Sequence, residues 1–227
     1  MYTSYNSACT LVNNNLLIDI PNGTVKQLLK MNFDLTNIKT ILITHFHGDH
    51  TADIPFFLKY VYVNDELDTP VTIIGPKGIK NKILELFNAY NFESEETINK
   101  LFKINFIEIL ESQLQIDDYN INSFEVLHGL EKPALGYIIN NKLGLTGDCG
   151  LCSGVETIFN NSDTIISDSS LKIGDEGHLG IDNLKYLITK YNKRVIATHL
   201  RDSTRQELLN TPVSNLNVVE DGFEFEL

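Results

Sequence analysis

Short apolar runs alternate with helix-length stretches along the whole chain. Thr10–Val12 and Leu16–Ile20 flank Asn13-Asn14-Asn15 and read as a hairpin. Pro21-Asn22-Gly23 stops that pattern, and Thr24 can cap a helix to about Met31. Lys39–Thr44 reads as a strand. Ala52–Val63 reads as a helix apolar on most of its surface (Ile54, Phe56, Phe57, Leu58, Tyr60, Val61, Tyr62), which predicts burial in a core or a subunit interface. Pro70–Ile74 is the next strand, Gly75-Pro76-Lys77-Gly78 a turn, and a helix follows to about Tyr90. Asn91–Lys100, with Glu93, Glu95 and Glu96, reads as a solvated turn or short helix. Ile104–Ile109, Gln113–Ile116 and Ile121–Leu127 are strands; Leu135–Ile139 and Leu143–Thr146 form a hairpin about Asn140-Asn141. Thr164–Asp168 and Arg194–Thr198 are strands with a helix, Ile181–Tyr191, between them. Asn217–Val219 and Phe223–Glu226 suggest a final hairpin about Asp221-Gly222.

The pattern echoes itself. Leu11 to Asp19 runs strand, Asn turn, strand, Asp, and Ile138 to Asp148 repeats that plan. Ile41-Leu42-Ile43-Thr44-His45 and Val195-Ile196-Ala197-Thr198-His199 are both apolar strands ending Thr-His. Two similar halves, each a mixed sheet with helices outside, would stack into a four-layer αββα sandwich forming a single domain over residues 1–227. Chance similarity between short strands would explain the echo equally well.

The composition is that of a globular protein, 42% hydrophobic and 21% charged, with no apolar stretch long enough for a bilayer and no leader-like N-terminus. Three cysteines argue against a disulfide framework and point to a reducing, cytoplasmic setting. The formal charge of −12 repels nucleic acid at long range, and the only arginines are Arg194, Arg201 and Arg205. A broad RNA-gripping surface is therefore not expected; a small anionic substrate held by a metal is.

The chemistry is concentrated in His45-Phe46-His47-Gly48-Asp49-His50, directly after an apolar strand. Nitrogen and oxygen donors packed this closely suit zinc or a similar divalent ion. Three more donors lie just past strand ends: His128, Asp148 and His199. This set exceeds the four ligands of a structural zinc site and suits two metals sharing a bridging carboxylate. Asp19 and Asp168, at other strand ends, are candidate partners of ligating histidines, or plain turn carboxylates.

The pattern resembles the metallo-β-lactamase superfamily, whose signature is H-x-H-x-D-H followed by separate His, Asp and His ligands. The resemblance implies the sandwich fold and two divalent ions, zinc first and manganese as the alternative. His45, His47 and His128 would hold one, Asp49, His50 and His199 the other, and Asp148 would bridge. Two cations would bring a bound water's pKa toward neutrality, giving a hydroxide for attack, with Asp49 orienting or deprotonating the water.

Local sequence is similar to the ribonuclease Z-like phosphodiesterase branch. His128-Gly129 leads to Pro133-Ala134-Leu135-Gly136-Tyr137, and Thr146-Gly147-Asp148-Cys149 looks like the bridging-Asp segment. Gly177-His178-Leu179-Gly180 resembles an additional histidine motif, so His178 is expected to be catalytic without ligating, by assisting the phosphate or protonating the leaving oxygen. The long basic arm of tRNA-processing members is missing, and compact members of this branch, including phage anti-defence phosphodiesterases, cleave cyclic nucleotides. The expected activity is thus hydrolysis of a phosphodiester, a small or cyclic nucleotide or an RNA end. The alternative is a lactone or thioester hydrolase using the same ligands. Tyr137 and Arg201 are candidate substrate contacts; an ion pair with Asp202 is the competing role for Arg201. Cys149-Gly150-Leu151-Cys152 is read as small residues letting the backbone pass the metal site. The resemblance also implies a homodimer, to which the apolar Ile54–Tyr62 helix would contribute. Oxygen-reducing di-iron relatives carry a carboxylate where His47 stands, and a non-catalytic module would have lost ligands that are all present here.

Overall fold

Asn13 and Asn14 both adopt positive φ (46° and 63°), the backbone that turns a three-residue loop between right-twisted strands. They join β1 (Thr10–Val12) to β2 (Leu16–Ile18) as the expected hairpin. The computed structural model describes residues 5–227 apart from 65–69, 93–95, 97, 99 and 101. Of the segment expected over Asn91–Lys100, residues 93–95, 97 and 99 lie outside the described residues; Glu96, Ile98 and Lys100 are helical, and Ile98 is buried in the core rather than solvated. The chain divides into two compact units, one over Asn6–Ile109 and one over Leu110–Leu227 that also includes Tyr5.

In the first unit, β2, β3 (Thr40–Leu42), β4 (Val71–Pro76) and β5 (Ile104–Ile109) run parallel, with β1 antiparallel at the edge. The helices are α1 (Thr24–Lys30), α2 (Gly48–Thr51), α3 (Ile54–Asn64) and α4 (Ile79–Ala89). The core joins Leu17, Ile41, Ile43 and Ile73 of the sheet to Ile54, Phe57 and Val61 of α3 and Ile83 and Phe87 of α4. The expected helix Ala52–Val63 is divided, α2 carrying the end of the histidine motif and α3 beginning at Ile54. Its burial is one-sided: Phe56, Tyr62 and Val63 are exposed, so an all-apolar helix is here a core helix with an apolar outer face.

In the second unit, β6 (Ser112–Ile116), β7 (Tyr119–His128), β8 (Glu131–Ile139) and β9 (Leu143–Leu145) form an antiparallel meander. β10 (Thr164–Asp168), β11 (Arg194–Thr198) and β12 (Leu216–Val218) extend it in parallel. Asn140 and Asn141 repeat the positive-φ turn. α5 (Ser153–Asn161), α6 (Ile181–Tyr191) and α7 (Asp202–Asn210) complete the unit. Ile158 of α5 packs where a side chain at Gly136 or Gly144 would stand, which lets this helix approach the sheet closely. Val155, Ile158, Leu184, Leu187, Val195 and Ala134 form the core on that face.

The final hairpin does not form. β12 pairs with β11 in parallel instead, and residues 223–227 carry no strand. Phe225 lies over the Arg194 guanidinium, 5.2 Å from its ring centroid, so the apolar alternation of this segment serves packing. The hairpin echo is present in both sheets, β1–β2 before β3 and β8–β9 before β10. The two Thr-His strands are not equivalent, since β3 adjoins its hairpin and β11 stands one strand further out.

Candidate metal centre

Five of the chain's six histidines lie at strand ends or in the loops beyond them, and His50 lies in the short helix α2. In the first unit the organising group is Asp19, buried past the end of β2 with φ 56°. It accepts the Thr44 N–H and the Thr44 hydroxyl, each at 2.8 Å, and His50 Nδ1–H at 2.8 Å. A carboxylate can only accept, so the His50 proton sits on Nδ1 and its lone pair on Nε2. The Thr44 hydroxyl gives its proton to Asp19, and its oxygen therefore accepts from His45 Nδ1 at 3.0 Å. His45 Nε2 in turn faces His47 Nδ1 at 3.1 Å, and the His45 ring lies 4.2 Å from that of His50. Asp49 stands in the first turn of α2, half-buried.

In the second unit the organising group is Asp168, completely buried at the end of β10. Its Oδ1 accepts the Ser170 N–H (3.0 Å) and the Ser170 hydroxyl (2.7 Å). Its Oδ2 accepts the Cys149 N–H (3.1 Å) and His178 Nδ1–H (2.9 Å). Ser170 Oγ also meets His199 Nδ1 at 2.7 Å, and because its own proton goes to Asp168, the His199 proton sits on Nδ1. His128 Nδ1 lies 2.7 Å from the Gly177 carbonyl, which again places the proton on Nδ1. His199, with φ 55°, turns its Nε2 to 3.1 Å from Asp148 Oδ2. Two lone-pair atoms thus face one another at contact distance, an arrangement that a shared cation stabilises. Asp148, Asp168, His178 and His199 each offer a ligand atom, all within 4.8 Å of one another.

His178 is positioned rather than merely nearby. Asp175 Oδ1 accepts the N–H groups of Gly177 and His178, each at 2.8 Å, and the His178 ring stacks on that of His199 at 5.3 Å. Burial alone would lower the His178 pKa; the hydrogen bond and charge of Asp168, with the charges of Asp148 and Asp175, outweigh it and hold it above the ordinary value. The Gly177 N–H, opposed by burial and helped by the His178 N–H and the charges of His178 and Arg201, holds the Asp175 carboxyl below the usual range. A side chain at Gly150 would run into the backbone of Asp175 and Glu176, so this glycine lets the loop pass closely. Cys9, Cys149 and Cys152 are free thiols.

Arg201 is exposed immediately before α7. Tyr137 is enclosed in β8 with no exposed surface, opposite Ser123 and Leu145, a placement that suits packing more than contact with a base. Sequence reasoning missed Thr44, Ser170 and Asp175. The first two are small hydroxyl residues whose value depends entirely on which carboxylate the fold brings to them.

The donor set fits divalent ions. Four histidines (His45, His50, His128 and His199) have Nδ1 committed to an oxygen, which leaves Nε2 as the lone-pair nitrogen, the usual arrangement of metal-ligating imidazoles.

Three comparisons place these features. The family described as "Anti-Pycsar protein Apyc1" matches residues 2–222. Ribonuclease Z of Thermococcus kodakarensis is 35% identical over 127 residues, covering 56% of this chain and 38% of that protein; ribonuclease Z of Pyrococcus horikoshii is 34% identical over 128 residues, covering 56% and 39%. The chain thus spans about two fifths of the length of these curated relatives. Among solved structures, human tRNase Z, short form, superposes with TM-score 0.72 at 20% identity, covering 96% of this chain and 94% of that one. The metallo-β-lactamase fold protein YhfI from Bacillus subtilis superposes with TM-score 0.73 at 16% identity, covering 98% and 94%. A diphosphatase of the PhnP family gives TM-score 0.77 at 16% identity, covering 96% and 83%. These likenesses assign the fold: an α/β sandwich of two mixed sheets with helices, as the strand pattern predicts.

Proposed function

This chain belongs to the anti-Pycsar protein Apyc1 family, within the ribonuclease Z-like part of the metallo-β-lactamase superfamily, and from that premise we propose that it is a metal-dependent phosphodiesterase. The observation that carries the reading is the commitment of Nδ1 on His45, His50, His128 and His199 to oxygen partners, which prepares four Nε2 atoms as ligands. We assign His45, His47 and His128 to one divalent ion, Asp49, His50 and His199 to a second, and Asp148 to both, with zinc first and manganese as the alternative.

When bound, such a pair of ions lowers the pKa of water and offsets charge on phosphate oxygens. The chain's own groups do the rest. Asp49 orients the attacking water or takes its proton. His178, held through Nδ1 by Asp168, presents Nε2–H to the leaving oxygen. Arg201, exposed before α7, meets the phosphate. A net charge of −12 with three arginines favours a small or cyclic nucleotide over a long RNA, and a cyclic nucleotide is the substrate we put first. The three free thiols fit a reducing, cytoplasmic setting, and among the described residues no helix is long and apolar enough to cross a membrane. The exposed Phe56, Tyr62, Val63 and Tyr90 support a homodimer, which sedimentation at micromolar concentration tests.

A substrate panel tests the activity: bis(p-nitrophenyl) phosphate, 2′,3′- and 3′,5′-cyclic nucleotides, an RNA 3′ end, a homoserine lactone and a β-lactam, each with Zn2+ and Mn2+. Phosphodiester turnover is expected. Turnover of the lactone alone would replace this reading with lactone hydrolysis, for which nothing in the site speaks.

A further inference from the structure

In each unit one histidine reaches its carboxylate directly and another reaches it only through a hydroxyl. In the first unit His50 Nδ1–H donates to Asp19, while His45 Nδ1–H donates to Thr44 Oγ1 (3.0 Å), whose own proton goes to Asp19 Oδ2 (2.8 Å). In the second unit His178 Nδ1–H donates to Asp168, while His199 Nδ1–H donates to Ser170 Oγ (2.7 Å), whose proton goes to Asp168 Oδ1 (2.7 Å). Thr44 is 2% exposed and Ser170 is not exposed at all, so both hydroxyls are shielded from bulk solvent.

The two chains of bonds are wired differently. Thr44 is the sequence neighbour of its histidine, and its carboxylate lies past the end of the neighbouring strand. Ser170 is two residues from its carboxylate, and its histidine lies past the neighbouring strand. A repeated sequence does not explain the match; the same hydrogen-bonded order was reached by two routes. The short bond to Asp168 favours one direction for the Ser170 hydroxyl. A Ser170 proton aimed at the His199 carbonyl (2.9 Å) would leave an Asp168 oxygen without its shortest bond. The Thr204 hydroxyl, donating to the Ser170 carbonyl at 2.7 Å, fixes the serine backbone as well.

We infer that Thr44 and Ser170 are positioning residues of the metal centre: each hydroxyl relays its carboxylate's charge to one imidazole, and so holds His45 and His199 in the Nδ1–H form that presents Nε2 to metal. A direct carboxylate–histidine pair is the common way to achieve this. Interposing a hydroxyl lets one buried carboxylate set two imidazoles at once. The inference rests on the metal-centre reading above.

The test uses the full chain with Thr44→Val and Ser170→Ala, which remove the hydroxyl at little change in volume, and Thr44→Ser and Ser170→Thr, which restore it. Two readouts are taken. Nitrogen-15 histidine spectra of the metal-free protein report tautomers, and competition with a chelator reports affinity for Zn2+ alone. Wild type is expected to show His45 and His199 as Nδ1–H. Each hydroxyl-less variant is expected to lose that signature at its own histidine and to bind Zn2+ about 10–100-fold more weakly. The hydroxyl-bearing variants should recover both. Unchanged tautomers overturn the inference even if affinity falls, because lost packing alone would weaken binding. Unchanged affinity overturns it even if the tautomers shift. Should a variant fail to fold, the wild-type tautomers decide: Nε2–H at His45 or His199 rejects the relay. Wild type that shows these tautomers and binds Zn2+ but cleaves no phosphodiester would refute the proposed activity and leave the relay standing.

Discussion

His178 Nδ1–H donates to Asp168 Oδ2 across 2.9 Å, on the carboxylate whose other oxygen takes the Ser170 hydroxyl. One buried group therefore orients the histidine proposed to protonate the leaving oxygen and, through serine, a histidine proposed to hold metal. His178 is the one of the pair with an exposed edge, its side chain 21% accessible.

That division of labour separates binding from turnover. His178→Ala should leave the metal content measured by elemental analysis unchanged, because the Asp168 bonds to Ser170 and Cys149 remain. Phosphodiester turnover should fall about 10²–10⁴-fold, the usual size of a lost general acid. Full activity would remove His178 from the mechanism.

Removal of metal should act on stability as well as rate. Chelation is expected to abolish hydrolysis and lower the unfolding temperature. Saturation at about 100 times Kd should restore about 2.7 kcal/mol per site by mass action. Calorimetry with and without Zn2+ checks this, and two ions per chain is the expected stoichiometry.

Asp53 gives a pH dependence of known sign. Its Oδ2 accepts the N–H groups of Gly23 and Val25, each at 3.0 Å, at the start of α1. Burial raises its pKa above the ordinary 3.8 in spite of those bonds. A raised carboxyl contributes stability that is full below 3.8 and lost as pH rises through the folded value. Asp53→Asn keeps an acceptor and has no charge, so its stability relative to wild type should grow as pH rises from about 3.8 toward neutrality. Asp53→Ala should cost about 1 kcal/mol, as lost helix caps do. Urea unfolding across that pH range distinguishes the two.

Two glycines near the proposed ligands should respond oppositely to alanine. At Gly150 a methyl group meets the Asp175 and Glu176 backbone, whereas at Gly48 nothing lies within 4 Å. Gly150→Ala should cost about 1–3 kcal/mol, as overpacking does, and should reduce turnover by shifting the loop that carries His178. Gly48→Ala should fold and bind Zn2+ like wild type. Thermal unfolding and Zn2+ titration of both variants provide the comparison.

The strands that lead to the proposed ligands were legible because their apolar runs are short and end at those residues. Thr164–Asp168, Ile181–Tyr191 and Arg194–Thr198 coincide with the pattern to the residue. α5 carried an overlooked signal: Val155, Ile158 and Phe159 recur at helical spacing, with Glu156 in the first turn. α7 carried almost none, since its buried residues are Thr204, Arg205 and Leu208. There Arg205 turns apolar by stacking on Tyr5, 3.8 Å from the ring centroid. The C-terminal hairpin was misread because alternation records burial on one side, and Arg194 supplies that burial to Phe225 without a partner strand. Asp19 and Asp168 were visible as strand-end carboxylates. Thr44 and Ser170 were not, because a hydroxyl between a carboxylate and an imidazole has no sequence period.

The left-handed backbone at His199 has an evolutionary reading. A non-glycine residue held there stores about 1–3 kcal/mol of conformational strain, tolerated so long as the imidazole is wanted. Descendants released from selection for chemistry would gain by relaxing it, so glycine or asparagine at position 199 should be an early mark of a lineage that has kept this scaffold and abandoned its trade.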